Sequence, residues 1–405
     1  MNHYTNNLHR IFVDQKIGFK KKITPTELDL NFFNQVKKDV KSHLKTKIKE
    51  FLEQQGIANI APKFRIQGSW AYGTCNLPAK QGQEMDFDYG VYLPVRAFEG
   101  FNPDAGASEQ AQNYFEQVEL MMEDLCHQHK WQLDTSAPSP CIRIKIRSNA
   151  HMDIPLYAVP DDMFDSLEER NELQVSLGTT TAIAIDESLN YSEWAFEDFN
   201  IRSFAEESLM DKNIQMIHMA RRDGTWQASD CELIRKWFTD KLKSLENNGQ
   251  QLRAICRYLK AWRDWQFADK SFQPSSILLM IIACKHYKYY QYRDDLALLS
   301  VLEELPNALN DDVYENIEEH ESEDFNRMEK YERVEASQYA DALYQSFMAS
   351  LNNLDKTKVL NFITNEWGDR IPQDENLIET SPQSIFDTPP LAQSNITQQV
   401  PLRQG

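Results

Sequence analysis

Apolar positions at Phe33, Val36, Val40, Leu44, Ile48 and Phe51 recur at steps of three and four and stop at Gly56, which predicts a long amphipathic helix. Just upstream, Thr24-Pro25-Thr26-Glu27 reads as a capping box with proline at the first helical position. The lysines of this stretch, Lys37, Lys38, Lys41, Lys45, Lys47 and Lys49, read as its solvated face rather than as a basic binding patch. From Lys63 to Leu93 the period falls to two. Short strands flank a glycine-containing turn, KFRIQGSWAYGTC and then MDFDYGVYLP, and the alternation puts Asp86 and Asp88 on one face. A helix over residues 109–130 follows, with Tyr114, Val118, Met121, Met122 and Leu125 on its buried side.

Next comes a hairpin turning at Ser148-Asn149. In Cys141 to Arg147, Ile142, Ile144 and Ile146 oppose Arg143, Lys145 and Arg147, while the strand from Met152 to Tyr157 sets Asp153 against Met152, Ile154 and Leu156. Beyond Asp211 the pattern is helical: CELIRKWFTDKLKSL, QLRAICRYLKAWRDWQF, SSILLMIIACKHYKYY, then residues 337–351 and 356–366. Strands first and helices afterwards predict an α+β chain of two lobes. The boundaries read as an N-terminal helical segment (1–60) packing on both lobes, a strand-rich lobe with the carboxylates (61–210), a helical lobe (211–371) and a flexible tail (372–405) rich in Pro, Gln, Ser, Thr and Asn.

Composition narrows this picture. With 41% hydrophobic and 11% aromatic residues in 405, the chain can bury a sizeable core, so global disorder is excluded. A formal charge of −19 argues against a surface built along nucleic acid, although a local basic cleft is compatible with it. Six cysteines without a C-x-x-C pair suit a reducing, cytoplasmic setting. The longest apolar run, Ile277 to Cys284, is far short of the roughly 20 residues of a membrane span, and the first residues lack the pattern of an export signal.

The chemistry concentrates in Gly68-Ser69, Asp86-Phe87-Asp88 and Asp153, each on or beside an expected strand. Three carboxylates can hold two divalent ions, which activate an attacking hydroxyl and neutralise a triphosphate and its pyrophosphate leaving group. A Gly-Ser turn opening a helix offers backbone N–H groups and a hydroxyl to phosphates. Cys126, His127 and His129 lie together at a helix end, but no second ligand group has metal-site spacing. His151 reads as a turn residue or as a neighbour of the Asp153 site, and Trp262 and Trp265 read as core and interlobe packing.

These residues carry a resemblance. QGSWAYGTCNLPAKQGQEMDFDYGVYLP, CIRIKIRSNAHMDIPLYAVP, and LKAWRDWQF followed by QPSSILLM resemble, in motif order over most of residues 60–290, the bacterial cGAS/DncV-like nucleotidyltransferases (CD-NTases), especially their DncV-type cyclic dinucleotide synthases. The resemblance implies a nucleotidyltransferase (polymerase beta-like) fold and an enzyme using ATP and GTP with Mg²⁺, or Mn²⁺ in its place, to make a cyclic oligonucleotide, foremost 3′,3′-cyclic GMP-AMP. It implies that Asp86, Asp88 and Asp153 hold the metals and that Asp153 also orients or deprotonates the attacking hydroxyl. Gln67, Gly68 and Ser69 would cradle the triphosphate, and Tyr72 would stack on a base or pack in the core.

Arg143 and Lys145 would aim positive charge into the cleft, and Lys260 with Ser275 and Ser276 matches a phosphate-contacting lysine and serine of the helical lobe; Ser276 alone would read as a helix N-cap. Glu323 or Asp324 would complete the acceptor-base pocket, against the plainer reading of a solvated acidic loop. The same resemblance implies CBASS anti-phage signalling through an effector, and conjugation at Gly405 by an E1/E2-like partner. Alternatives are a cyclase with another product, a cyclic trinucleotide or one with other bases, a linear oligonucleotide transferase, which the acidic composition disfavours, a vertebrate-type DNA sensor, for which a zinc insertion is missing, and a catalytically silent nucleotide-binding protein, which the three intact carboxylates disfavour.

Overall fold

The computed structural model describes residues 4–100, 106–135, 140–165, 167, 217–228, 231–245, 248–317 and 320–380. Two short helices, α1 (His9–Val13) and α2 (Phe19–Ile23), precede the long α3 (Glu27–Gln54). Leu8, Ile11, Phe12, Phe19 and Ile23 are buried with the helical C-terminal half, whereas Phe33, Val36, Val40, Leu44, Ile48 and Leu52 of α3 are buried against the strands. The chain thus passes from one core to the other at Thr24 and Pro25. The cap falls later than the sequence predicted. Thr26 is the N-cap, accepting from the Asp29 N–H at 3.3 Å while the Asp29 carboxylate accepts from the Thr26 N–H at 2.8 Å. Thr24 cannot serve because its hydroxyl donates to the Lys20 carbonyl at 2.6 Å and accepts from Arg257 at 2.7 Å.

A two-stranded piece joins β1 (Asn6–Asn7) to a strand at the far end of the chain, described below. The main sheet contains β2 (Lys63–Ile66), β3 (Met85–Pro94), β4 (Gln132–Asp134), β5 (Ile142–Arg147), β6 (Ala150–Ile154), β7 (Leu156–Val159), β8 (His218–Ala220) and β9 (Trp226–Ala228). Its order is β4-β5-β6-β3-β7-β8-β9, with β2 also paired to β3. Helix α4 (Gly68–Ala71) follows β2, and α5 (Ala107–His129) closes the face shared with α3. The strand predicted from Met152 to Tyr157 is two strands. Proline has no N–H to continue a ladder, and at Pro155 the chain changes pairing: β6 runs parallel to Met85–Asp88 of β3, β7 runs parallel to its Val91–Pro94, and the Pro155 carbonyl accepts from Val91 at 2.9 Å.

The second core is helical: α6 (Cys231–Ser244), α7 (Gly249–Gln266), α8 (Ser276–His286), α9 (Asp294–Leu302), α10 (Leu305–Asn310), α11 (Lys330–Asn352) and α12 (Lys356–Trp367). Residues 372–380, expected to belong to a flexible tail, are part of the fold. Leu377 and Ile378 are 2% exposed in the helical core, and β10 (Glu379–Thr380) pairs antiparallel with β1. Gly405 and the stretch 168–210 of the strand-rich lobe lie outside the described residues. Among the described residues, no helix is long and apolar enough to cross a membrane.

Candidate functional site

The register of three adjacent strands builds the site. Asp88 lies opposite Asp153, and Asp153 opposite Arg143; one step along, Asp86 lies opposite His151, and His151 opposite Lys145. Because side chains alternate along each strand, all six share one face. The intervening Phe87, Met152 and Ile144 are buried on the other face, under α3 and α5. The polar row is therefore a consequence of the apolar one.

Local packing fixes the carboxylates. Trp70 of α4 sits against Phe33 and Phe87 and donates its indole N–H to the Asp86 carbonyl at 2.9 Å, while the Gln67 N–H donates to the Asp88 carbonyl at 2.9 Å. Gly68 has φ +60°, and a Cβ there would stand 1.9 Å from Asp88 Oδ2. Only glycine lets the turn press onto that carboxylate.

Asp86, His151 and Asp153 each present a ligand atom within 4.8 Å of one another. Burial, and after it the charges of Asp86 and Asp153, push the Asp88 carboxyl up to about 8. Arg143 meets Asp153 as a fork, Nε to Oδ1 and NH2 to Oδ2, both at 2.7 Å. Carboxylate repulsion of this kind is relieved by a divalent cation, and carboxylate oxygen donors suit Mg²⁺ or Mn²⁺ chemically. The residues present fit such an ion.

His151 was read from sequence as a turn residue or a neighbour of Asp153. It lies inside β6, with Nδ1 2.9 Å from Glu84 Oε2 and Nε2 3.1 Å from Asp86 Oδ1. Burial alone would lower its pKa; the Asp86 carboxylate beside it overrides burial and holds it above the ordinary histidine range. Glu84 was missed altogether. The E-x-D spacing to Asp86 was its only signal.

The helical lobe meets the site through residues 73–83, which lie on α7. Lys260 donates to the Thr74 carbonyl at 2.8 Å, the Asn76 side chain donates to the Arg257 carbonyl and accepts from its Nε, and Gln83 donates to the Asp264 carbonyl at 2.6 Å. Lys260 is buried, not open in a cleft, and burial followed by Arg263 lowers its pKa. Burial pushes the Cys75 thiol, which neighbours Ser69, up to about 11.

Several of the expected residues make contacts that the sequence did not predict. The Gln67 side chain turns into the sheet, donating to the Tyr92 hydroxyl and accepting from Tyr157 at 2.9 Å, so only its backbone borders the site. Tyr72 packs edge-on against Phe238, centroids 6.2 Å apart. Lys145 meets Glu84 at 2.5 Å instead of projecting alone. Ser275, not Ser276, is the N-cap of α8, its hydroxyl accepting from Leu278 at 3.1 Å, whereas the Ser276 hydroxyl accepts from Arg263 at 2.9 Å. Asp324 is tied within its own loop, accepting from the Val313 and Asn326 N–H groups and from Arg333. Glu323 is likewise held by His320 and Arg327.

Comparison with known proteins gives a consistent family. Residues 62–157 match the family model described as cyclic GMP-AMP synthase DncV-like, nucleotidyltransferase domain, and residues 249–380 match cyclic GMP-AMP synthase, C-terminal domain. A cyclic GMP-AMP synthase of Vibrio cholerae is 33% identical over 227 residues, 55% of this chain and 46% of that one. One from Escherichia coli is 31% identical over 259 residues, 62% and 54% of the two chains. The chain spans about half the length of the curated relatives it matches. The crystal structure of Vibrio cholerae DncV with a linear pppA(3′,5′)pG intermediate superposes with a TM-score of 0.69 at 21% identity, covering 94% of this chain and 100% of that one. The same protein with nonhydrolysable GTP gives 0.70 at 20%, covering 93% and 100%. At that identity the likeness speaks for the fold.

Proposed function

This chain belongs to the DncV-like nucleotidyltransferase family, and on that premise we propose that it is a cyclic dinucleotide synthase joining ATP and GTP into 3′,3′-cyclic GMP-AMP. The observation that carries the reading is the strand register that gathers Asp86, Asp88 and Asp153 on one sheet face. Asp86, Asp88 and Asp153 would hold two Mg²⁺ ions. When bound, such ions polarise an α-phosphate and neutralise the pyrophosphate that leaves.

The chain's own groups do the rest. The Asp153 carboxylate accepts the proton of a ribose 3′-hydroxyl as that oxygen attacks the α-phosphate, forming a 3′,5′-phosphodiester and releasing pyrophosphate. Arg143, forked onto Asp153, keeps that carboxylate aimed across the sheet. Gly68 lets the α4 turn approach Asp88, where the Ser69 backbone is available to phosphate oxygens. A second round with the intermediate reversed closes the ring. The proposed setting is CBASS anti-phage signalling, in which the cyclic product acts on an effector.

Pyrophosphate counting tests the reaction type. With Mg²⁺, ATP and GTP, two pyrophosphates per dinucleotide are expected; one per dinucleotide would assign a linear transferase, and none would remove the enzyme reading.

A further inference from the structure

Two side chains outside the three aspartates close on Asp86 from behind. Glu84 precedes β3 by one residue and lies two residues from Asp86, so both point to the same side of the strand. Its Oε1 meets Lys145 Nζ at 2.5 Å and its Oε2 meets His151 Nδ1 at 2.9 Å. The far nitrogen of His151, Nε2, stands 3.1 Å from Asp86 Oδ1. Strand pairing sets this order, since Lys145 is opposite His151 and His151 is opposite Asp86. The imidazole is buried, with 9% of the residue exposed.

A buried imidazole anchored through one nitrogen on a carboxylate has its ring plane fixed, and the second nitrogen then sets a fixed positive partner against the carboxylate it faces. Here it faces Oδ1 of Asp86, on the sheet face that also carries Asp88 and Asp153. We propose that Glu84 and His151, anchored by Lys145, are positioning residues that hold the Asp86 carboxylate in its metal-ligating orientation. Glu84 acts through His151, and Lys145 acts through Glu84. This rests on the reading of the aspartates as a metal site. It reassigns Lys145 from nucleotide contact to support of that site.

The test is Mn²⁺ binding to the full chain, followed by electron paramagnetic resonance without nucleotide, in wild type, Asp86→Ala, Glu84→Ala, Glu84→Gln, His151→Ala and the Glu84→Ala/His151→Ala double variant. Expected are a loss of about tenfold or more in Mn²⁺ affinity for Glu84→Ala and for His151→Ala. A partial recovery is expected in Glu84→Gln, which keeps an acceptor for Nδ1–H. The double variant should be no weaker than His151→Ala, because the two groups act in series. In the activity assay the apparent Mg²⁺ constant should rise while kcat at saturating Mg²⁺ changes little.

Glu84→Ala binding Mn²⁺ as tightly as wild type would overturn the proposal, and so would losses that multiply in the double variant. Wild type without Mn²⁺ affinity would bring down the metal reading along with it; wild-type binding that Asp86→Ala abolishes keeps that reading whatever the Glu84 variants show. Should His151→Ala fail to fold, Glu84→Ala against Glu84→Gln decides, since the Glu84 side chain is partly exposed and its removal leaves the sheet core intact.

Discussion

Gly68 and Asp88 occupy one space: a Cβ on the glycine would stand 1.9 Å from the Asp88 Oδ2, and the glycine φ of +60° is itself strained for other residues. Gly68→Ala therefore has to move either the α4 turn or the carboxylate. The expected outcome is a fall of about 100-fold or more in dinucleotide formation, the scale of a 1 Å displacement of a catalytic group. The accompanying stability loss should be only about 1–2 kcal/mol. Parallel turnover and urea unfolding measurements check this, and an active Gly68→Ala enzyme would contradict it.

Asp88 should make the metal-free protein respond to pH. Its carboxyl is raised from 3.8 to about 8, first by burial and then by Asp86 and Asp153. Between those values the folded state holds a proton that the unfolded chain has lost, so this group makes stability fall as pH rises from about 4 toward 8. A divalent ion must displace that proton. Mn²⁺ affinity should accordingly rise with pH up to about 8 and then level off, with proton release on binding below that pH measured by calorimetry in two buffers.

The fork between Arg143 and Asp153 should matter most when no cation is bound. Asp153 is nearly buried, whereas about two-fifths of the Arg143 side chain is exposed. Removing the guanidinium leaves a buried carboxylate without its partner, which for this partly solvated pair costs about 1–2 kcal/mol. Arg143→Ala is expected to lower the melting temperature in EDTA and to recover much of the loss in Mn²⁺. Arg143→Lys keeps the charge without the fork and should fall between. Equal destabilisation with and without metal would refute this account of the pair.

Arg257 fastens three segments: its Nε donates to Asn76 Oδ1 at 3.0 Å and its NH2 to Thr24 Oγ1 at 2.7 Å, from a helix in the other core. Arg257→Ala strands buried polar groups and should cost about 3 kcal/mol in urea unfolding. Lys80→Ala, which removes an ion pair to a largely exposed Asp269, should cost under about 1 kcal/mol. Equal effects would mean that the interlobe contact is not centred on Arg257.

Most of the carboxylate row was legible because alternation alone separates Asp86, Asp88 and Asp153 from Phe87 and Met152. What pairs with what was not. The opposition of Asp88 and Asp153 depends on a parallel register between strands distant in the sequence, and so does the contact of Glu84 with His151, 67 residues apart. The Thr26 cap was misplaced because two threonines compete locally, and a distant Arg257 decides between them. Asp324 looked free in a string of acidic residues; its partners Val313 and Arg333 arrive from either side only when the loop folds. The Gln67 side chain reads as part of a phosphate turn until Tyr92 and Tyr157 claim it.

Mass spectrometry of phosphatase-resistant products from the full chain with Mg²⁺ and all four nucleoside triphosphates, beside an Asp86→Ala/Asp88→Ala double variant, decides whether the chain is a cyclase. The expected result is a cyclic dinucleotide with the mass of one AMP and one GMP unit less two waters, formed by wild type alone. Linear chains, or the same product from the double variant, would contradict the account.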